Sequence, residues 1–211
     1  MARIGLEHRR TWFVRLAEWG SRRKYGEVLD PGKAALHNRR VLTTMLLMEG
    51  TAGRWKALDP GLKALAVMVT SARIGCSWCM DFGYWEFHHQ GVDQAKLRDV
   101  PRWRDSAVYS DLERAVMDYA EAMTATPPEV TDEQTERLRA DLTDEQLVEL
   151  TAVVSLENYR SRTNAALGLT SQGFKQTCET RPLASLRGGE ENETHPLASL
   201  GGGEEKLRPV Q

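Results

Sequence analysis

Chemistry in this chain concentrates in one stretch, Arg73-Ile74-Gly75-Cys76-Ser77-Trp78-Cys79-Met80-Asp81, which holds two of the three cysteines. The stretch falls where a loop ending in Gly75 turns into a helix. A helix start carries free N–H donors and a partial positive charge, and both favour a thiolate over a thiol. On a helix, Cys76 and Cys79 share a face about one turn apart, which permits a disulfide. The pair therefore reads as one that cycles between dithiol and disulfide. The plain alternatives are a buried, inert cysteine pair and a zinc site. Zinc wants four ligands, and the nearest histidines, His88 and His89, lie far along the same helix with His88 turned about 180° from Cys79. Cys178, beside the C-terminal tail, is expected to be incidental.

Thiol chemistry on a peroxide also needs proton donors and acceptors. Two carboxylates are candidates. Glu86 continues the Cys79 stripe, seven residues and about 10 Å further along the axis, and can act only through water or substrate. Glu157 enters an apolar stripe of Leu147, Leu150 and Val154 that continues through Asn158 and Ser161. A carboxylate on a core face must be paired or functional, because burying it alone is costly. Arg160 or Arg162 is the candidate partner; otherwise Glu157 faces the cysteines. The candidate site is thus Cys76, Cys79, Glu157 and Glu86. Trp78, Phe82, Tyr84, Trp85 and Phe87 read as packing that also makes the surroundings of the sulfurs apolar.

The elements that must position these groups are all helical. Trp12, Leu16 and Trp19 recur at helical spacing between Thr11 and Tyr25. Pro31 leads into a second helix over 34–48, with Leu36, Val41, Leu42, Met45 and Leu46 inward and Gly50 and Gly53 at its end. Asp59-Pro60 starts a third helix through Leu62, Leu65, Val69 and Ala72. The helix after Cys76 runs to about Gln90, with Gly91 as its cap, and a short helix follows over 93–98. Ser110/Glu113, Thr131/Gln134 and Thr143/Gln146 each have the spacing of a capping box. No stretch alternates as a half-buried hairpin does, so the fold class is all-α. From Glu179 a segment rich in Gly, Glu and Pro is nearly repeated 14 residues on, and residues 179–211 read as a flexible tail.

Composition narrows the function. A net charge of −2 gives no one-signed field for nucleic acid or a membrane surface, and no apolar run approaches a membrane span. Without a signal-peptide core in residues 1–10, a cytoplasmic protein is expected, where a CxxC pair is more often catalytic or metal-binding than a staple. Neither a Gly-rich phosphate loop nor a Ser/His/Asp set is present, so no cofactor or metal is expected.

The run from Ala72 to Gly83, followed by Gly91-Val92 and Trp103-Arg104-Asp105-Ser106, resembles the carboxymuconolactone decarboxylase/alkylhydroperoxidase (AhpD-like) family. The segments Glu157 to Gly168 and Ser171-Gln172-Gly173-Phe174 are similar to it as well. The resemblance covers residues 31–174, within a domain taken as 1–178. It implies an all-helical fold assembled as a homo-oligomer, a trimer or hexamer. In the alkylhydroperoxidase branch it implies peroxide reduction, with re-reduction by a dithiol electron donor such as a lipoyl group. By position, the resemblance makes Cys79 the attacking thiol and Cys76 the resolving one. That branch also has a histidine four residues after the second cysteine and a glutamate twelve before the first; here those positions are Gly83 and Ala64. The expected function is a thiol–disulfide oxidoreductase of the alkylhydroperoxidase type. The alternatives are a lyase acting on a small organic acid and a non-catalytic oligomer that responds to oxidation.

Overall fold

The computed structural model describes residues 2–180; of the tail expected over 179–211, Glu179 and Thr180 end the last helix and the rest lies outside the described residues. Ten α-helices follow one another, with no strand among the described residues: α1 (Trp12–Tyr25), α2 (Asp30–Ala35), α3 (Arg39–Ala52), α4 (Pro60–Ile74), α5 (Ser77–His89), α6 (Gln94–Asp99), α7 (Asp111–Thr124), α8 (Asp132–Arg139), α9 (Asp144–Ala166) and α10 (Phe174–Thr180). A 3₁₀ segment, Val100–Asp105, joins α6 to α7.

Helix α4 is the central element and packs along α5, α7 and α9. Its sequence explains this position, because Leu62, Ala64, Leu65, Ala66, Met68 and Val69 are all buried and leave it apolar around most of its circumference. Pro60 occupies its first turn, where a missing N–H costs nothing, and the Asp59 carboxylate caps Gly61 and Leu62. Val116, Met117 and Ala120 of α7 and Leu150 and Val154 of α9 complete the main core. All three capping boxes form, at Ser110, Thr131 and Thr143, each with reciprocal side-chain and backbone bonds.

The N-terminal third departs from the sequence reading. The single helix expected over 34–48 is two helices, α2 and α3, broken at Leu36–Asn38. Asn38 is the reason: its side chain accepts from the Arg40 and Val41 N–H groups and starts a new helix. Gly50 lies inside α3, and Gly53 alone is its cap. Of the five residues expected inward, Leu42 is buried, whereas Val41 is 43% and Leu46 62% exposed. Similarly, Trp12, Leu16 and Trp19 of α1 face outward, with Trp12 74% exposed. Periodicity identified real apolar stripes on both helices, but within one chain most of these stripes are uncovered.

Candidate active site around the Cys76–Cys79 pair

Helix α4 ends at Gly75, whose φ of +78° is a left-handed conformation that a residue with a Cβ adopts only with strain. The turn is fixed by Ser71, whose carbonyl accepts from the N–H groups of both Gly75 and Cys76. Cys76 is the N-cap of α5 and Cys79 lies in its first turn, as the sequence predicts. Their Cα atoms are 5.3 Å apart and the sulfurs form a disulfide. The Cys79 N–H, one of the free donors of the helix start, points at Cys76 Sγ at 3.2 Å. Cys76 and Cys79 are only 1% and 7% exposed, in an apolar cluster with Ala34, Trp78 and Leu169.

Helix α9 presents a polar line to this pair. Glu157, Ser161 and Asn164 follow at intervals of four and three residues and share one buried face. The amide Nδ2 of Asn164 donates to Cys79 Sγ at 3.4 Å. Glu157 Oε1 lies 2.8 Å from Ser71 Oγ and 2.6 Å from Ser161 Oγ, and these hydroxyls are 3.3 Å from each other. Each hydroxyl carries one proton and has more than one acceptor in range, so the cluster can reorganise when Glu157 changes protonation. Arg160, rather than Arg162, is the ion-pair partner of Glu157, at 3.4 Å. That guanidinium is shared with Glu49 of α3, at 2.5 Å, while Arg162 turns to Asn158, Thr124 and Thr126. Burial pushes the Glu157 carboxyl above its ordinary value, against the pull of Arg160, Ser161 and Ser71.

Glu86 is half-buried in the field of the same arginine. Burial raises its pKa, Arg160 and Lys24 oppose the rise, and Glu49 adds to it. The structure thus brings both predicted carboxylates to Arg160. The side-chain bond that reaches a sulfur comes instead from Asn164, seven residues and about 10 Å beyond Glu157 along α9. The sequence reading missed Asn164, although its signal was present: it is the next polar residue on the stripe that carries Glu157 and Ser161.

At the two positions where the family carries its relay residues, the surroundings are apolar. Ala64, at the position of the family glutamate, is fully buried in α4. Gly83, at the position of the family histidine, faces Met68 one turn beyond Ala64, and a Cβ built on Gly83 would stand 2.7 Å from Met68 Sδ. The thioether closes the space that a side chain at position 83 needs.

The loop after α9 secures the start of α5. Gln172 Oε1 accepts from the Trp78 indole and the Asp30 N–H, each within 2.9 Å. Buried Asp81 accepts from the backbone N–H groups of Gln172, Gly173, Phe174 and Lys175, so a carboxylate of α5 caps α10. Cys178 is buried against the main core, away from the pair's apolar cluster. No three His, Cys, Asp or Glu side chains are grouped to hold a metal among the described residues. Among them no helix is long and apolar enough to cross a membrane.

An all-α chain built on a central helix that delivers a CxxC pair to the next helix start defines an AhpD-like protein. The family model for the carboxymuconolactone decarboxylase family matches residues 40–122. The uncharacterised protein YnjA of Escherichia coli strain K12 is 34% identical over 173 residues, 80% of this chain and 93% of that protein. The chain belongs to the carboxymuconolactone decarboxylase family. Among solved structures, an uncharacterised peroxidase-related protein from Silicibacter sp. TM1040 has the same fold, with a TM-score of 0.73 and 16% identity, covering 82% of this chain and 94% of that one. The debrominase Bmp8 superposes with a TM-score of 0.69 at 18% identity, over 79% of this chain and 89% of that one. At these identities the two structures establish the fold.

Proposed function

We propose that this protein is a thiol–disulfide oxidoreductase that reduces peroxides through Cys79 and Cys76. The observation that carries the reading is the pair itself: a disulfide at the first turn of α5, with Asn164 donating to Cys79 Sγ. In the dithiol state the Cys79 thiolate is stabilised by that amide and by the helix start. It attacks the distal oxygen of R–O–OH, giving a sulfenic acid on Cys79 and an alkoxide that takes up a proton. The Cys76 thiol then displaces hydroxide from the sulfenic sulfur, which leaves as water and forms the disulfide. A dithiol donor returns the two electrons by thiol–disulfide exchange.

The leaving oxygen needs an acid, and Gly83 and Ala64 supply none. Glu157, whose raised pKa keeps it a proton carrier closer to neutrality, takes that part through the Ser71 and Ser161 hydroxyls and a bridging water or substrate. The exposed stripes of α1 and α3 are the surfaces expected to meet further copies of the chain, in a homo-oligomer working in the cytoplasm.

The test is to titrate free thiols on the reduced protein before and after one equivalent of an alkyl hydroperoxide. Loss of two thiols per chain in wild type, and failure of Cys79→Ser to turn over, are expected. Thiols that survive the peroxide would overturn the redox reading. Full turnover of an organic acid by Cys79→Ser would establish the lyase alternative.

A further inference from the structure

The apolar cluster that holds the cysteine pair is packed over by residues from the far N-terminal end of the described chain. From Ala2 to His8 successive residues alternate between half-buried and exposed. Ala2, Ile4 and Leu6 are the inward set, and they pack on the apolar cluster of Ala34, Cys76, Trp78, Cys79 and Leu169. Few bonds hold this segment. The Arg3 N–H donates to the Leu167 carbonyl at 2.8 Å, and the Arg3 guanidinium donates to the carbonyls of Ala165 and Ala166 at 2.9 and 2.8 Å. Those carbonyls end α9, where a cation is favoured, and the Ala165 carbonyl also accepts from the Gly168 N–H. At the other end, His37 Nε2 lies 2.7 Å from the Gly5 carbonyl and His8 Nε2 lies 2.6 Å from the Lys33 carbonyl.

Thiol–disulfide exchange requires an external sulfur to approach along the disulfide axis, so access governs its rate. Both sulfurs are closed off, and the covering segment has no helical or sheet bonding of its own. Segments with few buried contacts and exposed anchors open at a fraction of the cost of global unfolding. We propose that residues 2–8 are a gate over the Cys76–Cys79 disulfide, latched chiefly by Arg3 on the end of α9. Closed, the gate shields the oxidised pair. Open, it uncovers an apolar trough of Trp78, Phe82, Leu29, Leu167 and Leu169, through which the reducing dithiol reaches the sulfurs. The exchange then balances: the dithiol thiolate takes one sulfur into a mixed disulfide, its second thiol closes a new disulfide, and Cys76 and Cys79 leave as thiols. The gate rests on the reading that the pair is redox-active.

The experiment is to measure reduction of the oxidised full-length chain by dithiothreitol, by acid quench and thiol counting. Wild type, Arg3→Ala, Ile4→Ala and an exposed control, Arg9→Ala, are compared. Arg3→Ala and Ile4→Ala are expected to accelerate reduction roughly five- to tenfold, the effect of one lost anchor on a local opening. Arg9→Ala is expected to leave it unchanged. Hydrogen exchange should rise at residues 2–8 in the two gate variants and nowhere else. Equal rates in wild type and Arg3→Ala overturn the gate, as does acceleration accompanied by faster exchange throughout α4 and α9. A pair that dithiothreitol reduces but peroxide does not re-oxidise sinks peroxide reduction, not disulfide exchange, and the gate is then judged by the reduction rates alone.

Discussion

The sides that α5 turns to α4 and to α9 differ in kind. Toward α4, Ala64, Met68 and Gly83 form a dry contact in which the Met68 sulfur occupies the space a side chain at position 83 would need. Toward α9, a continuous polar face of Glu157, Ser161 and Asn164 runs from the Arg160 ion pair to Cys79 Sγ. The family resemblance places its proton relay on the first side. In this chain the titratable groups lie on the second, and the first is given over to packing. The cysteines stand at the start of α5 whatever lies on either side, because Gly75 and the Ser71 carbonyl set the turn that delivers them.

The comparison breaks most visibly at Glu157. Glu157→Gln keeps the shape and the hydroxyl contacts but removes the proton, so peroxide turnover is expected to fall roughly 100-fold, the scale of one lost general acid. A variant as active as wild type would return the relay to an unidentified group. The same substitution changes stability with a definite sign. The folded chain holds the Glu157 proton more tightly than the unfolded chain, whose carboxyl titrates near the ordinary 4.5. That contribution is fully present below the unfolded value and is lost as pH rises through the raised folded value. Urea melts across this range should therefore show stability falling with pH in wild type and a flatter profile in Glu157→Gln.

Next in size is the dry side. Gly83→His restores the family residue type, yet it drives a side chain into Met68 within a close-packed helix contact. It is expected to cost roughly 1–3 kcal/mol of stability without raising turnover. In Gly83→Ala a helix-propensity gain of about 1 kcal/mol offsets the shift demanded of the Met68 thioether, so its net change should be small, and Met68→Ala should partly relieve the Gly83→His loss in the double variant, a coupling that a double-mutant cycle measures. A stable, more active Gly83→His would show that the contact yields and that the first side remains available to a relay.

A third test concerns the sulfur contact. Asn164→Ala removes the donor to Cys79 Sγ and is expected to raise the Cys79 thiol pKa and slow alkylation at neutral pH roughly tenfold, as the loss of a hydrogen bond to a charged group. The pH profile of iodoacetamide reaction reads this directly. A structural role alone would leave that profile in place.

Much of this arrangement was legible in the chain. Asp59-Pro60, Gly75 and the three capping boxes are local signals, satisfied by side-chain-to-backbone bonds that depend on nothing distant, and each appears where the spacing puts it. The buried carboxylate was legible too, as a charge on an apolar stripe. Asn38 illustrates what was not: its N-cap bonds split one periodic stripe into α2 and α3, and apolar periodicity carries no trace of that break. Periodicity also states which side chains seek cover without saying what covers them, which is why Val41 and Leu46 read as inward and stand exposed. Asn164 was visible as a polar residue on the Glu157 stripe, but its reach to Cys79 needed the packing of α9 on α5, a tertiary fact. The packing of Ile4 and Leu6 on the cluster that holds Cys76 and Cys79 likewise joins residues 70 or more positions apart in the sequence.

Glu86 gives the smallest expected effect and the sharpest use of the comparison. Its stripe on α5 points toward Arg160, yet Arg160 already has Glu49 and Glu157 as hydrogen-bonded acceptors, and the influence on Glu86 is one of field rather than contact. Glu86→Gln removes a carboxylate whose pKa is raised by burial, so it should slightly flatten the loss of stability with rising pH, with the same sign as Glu157→Gln. Turnover is expected to change by less than about twofold, because a group acting through a screened field contributes little to a proton transfer that requires hydrogen-bond reach. If instead Glu86→Gln matched Glu157→Gln in lost turnover, and the double variant lost no more than either alone, the two carboxylates would be one coupled unit around Arg160. The polar side of the pair would then extend across α5 as well as α9, and the division between a dry and a wet side would have to be redrawn.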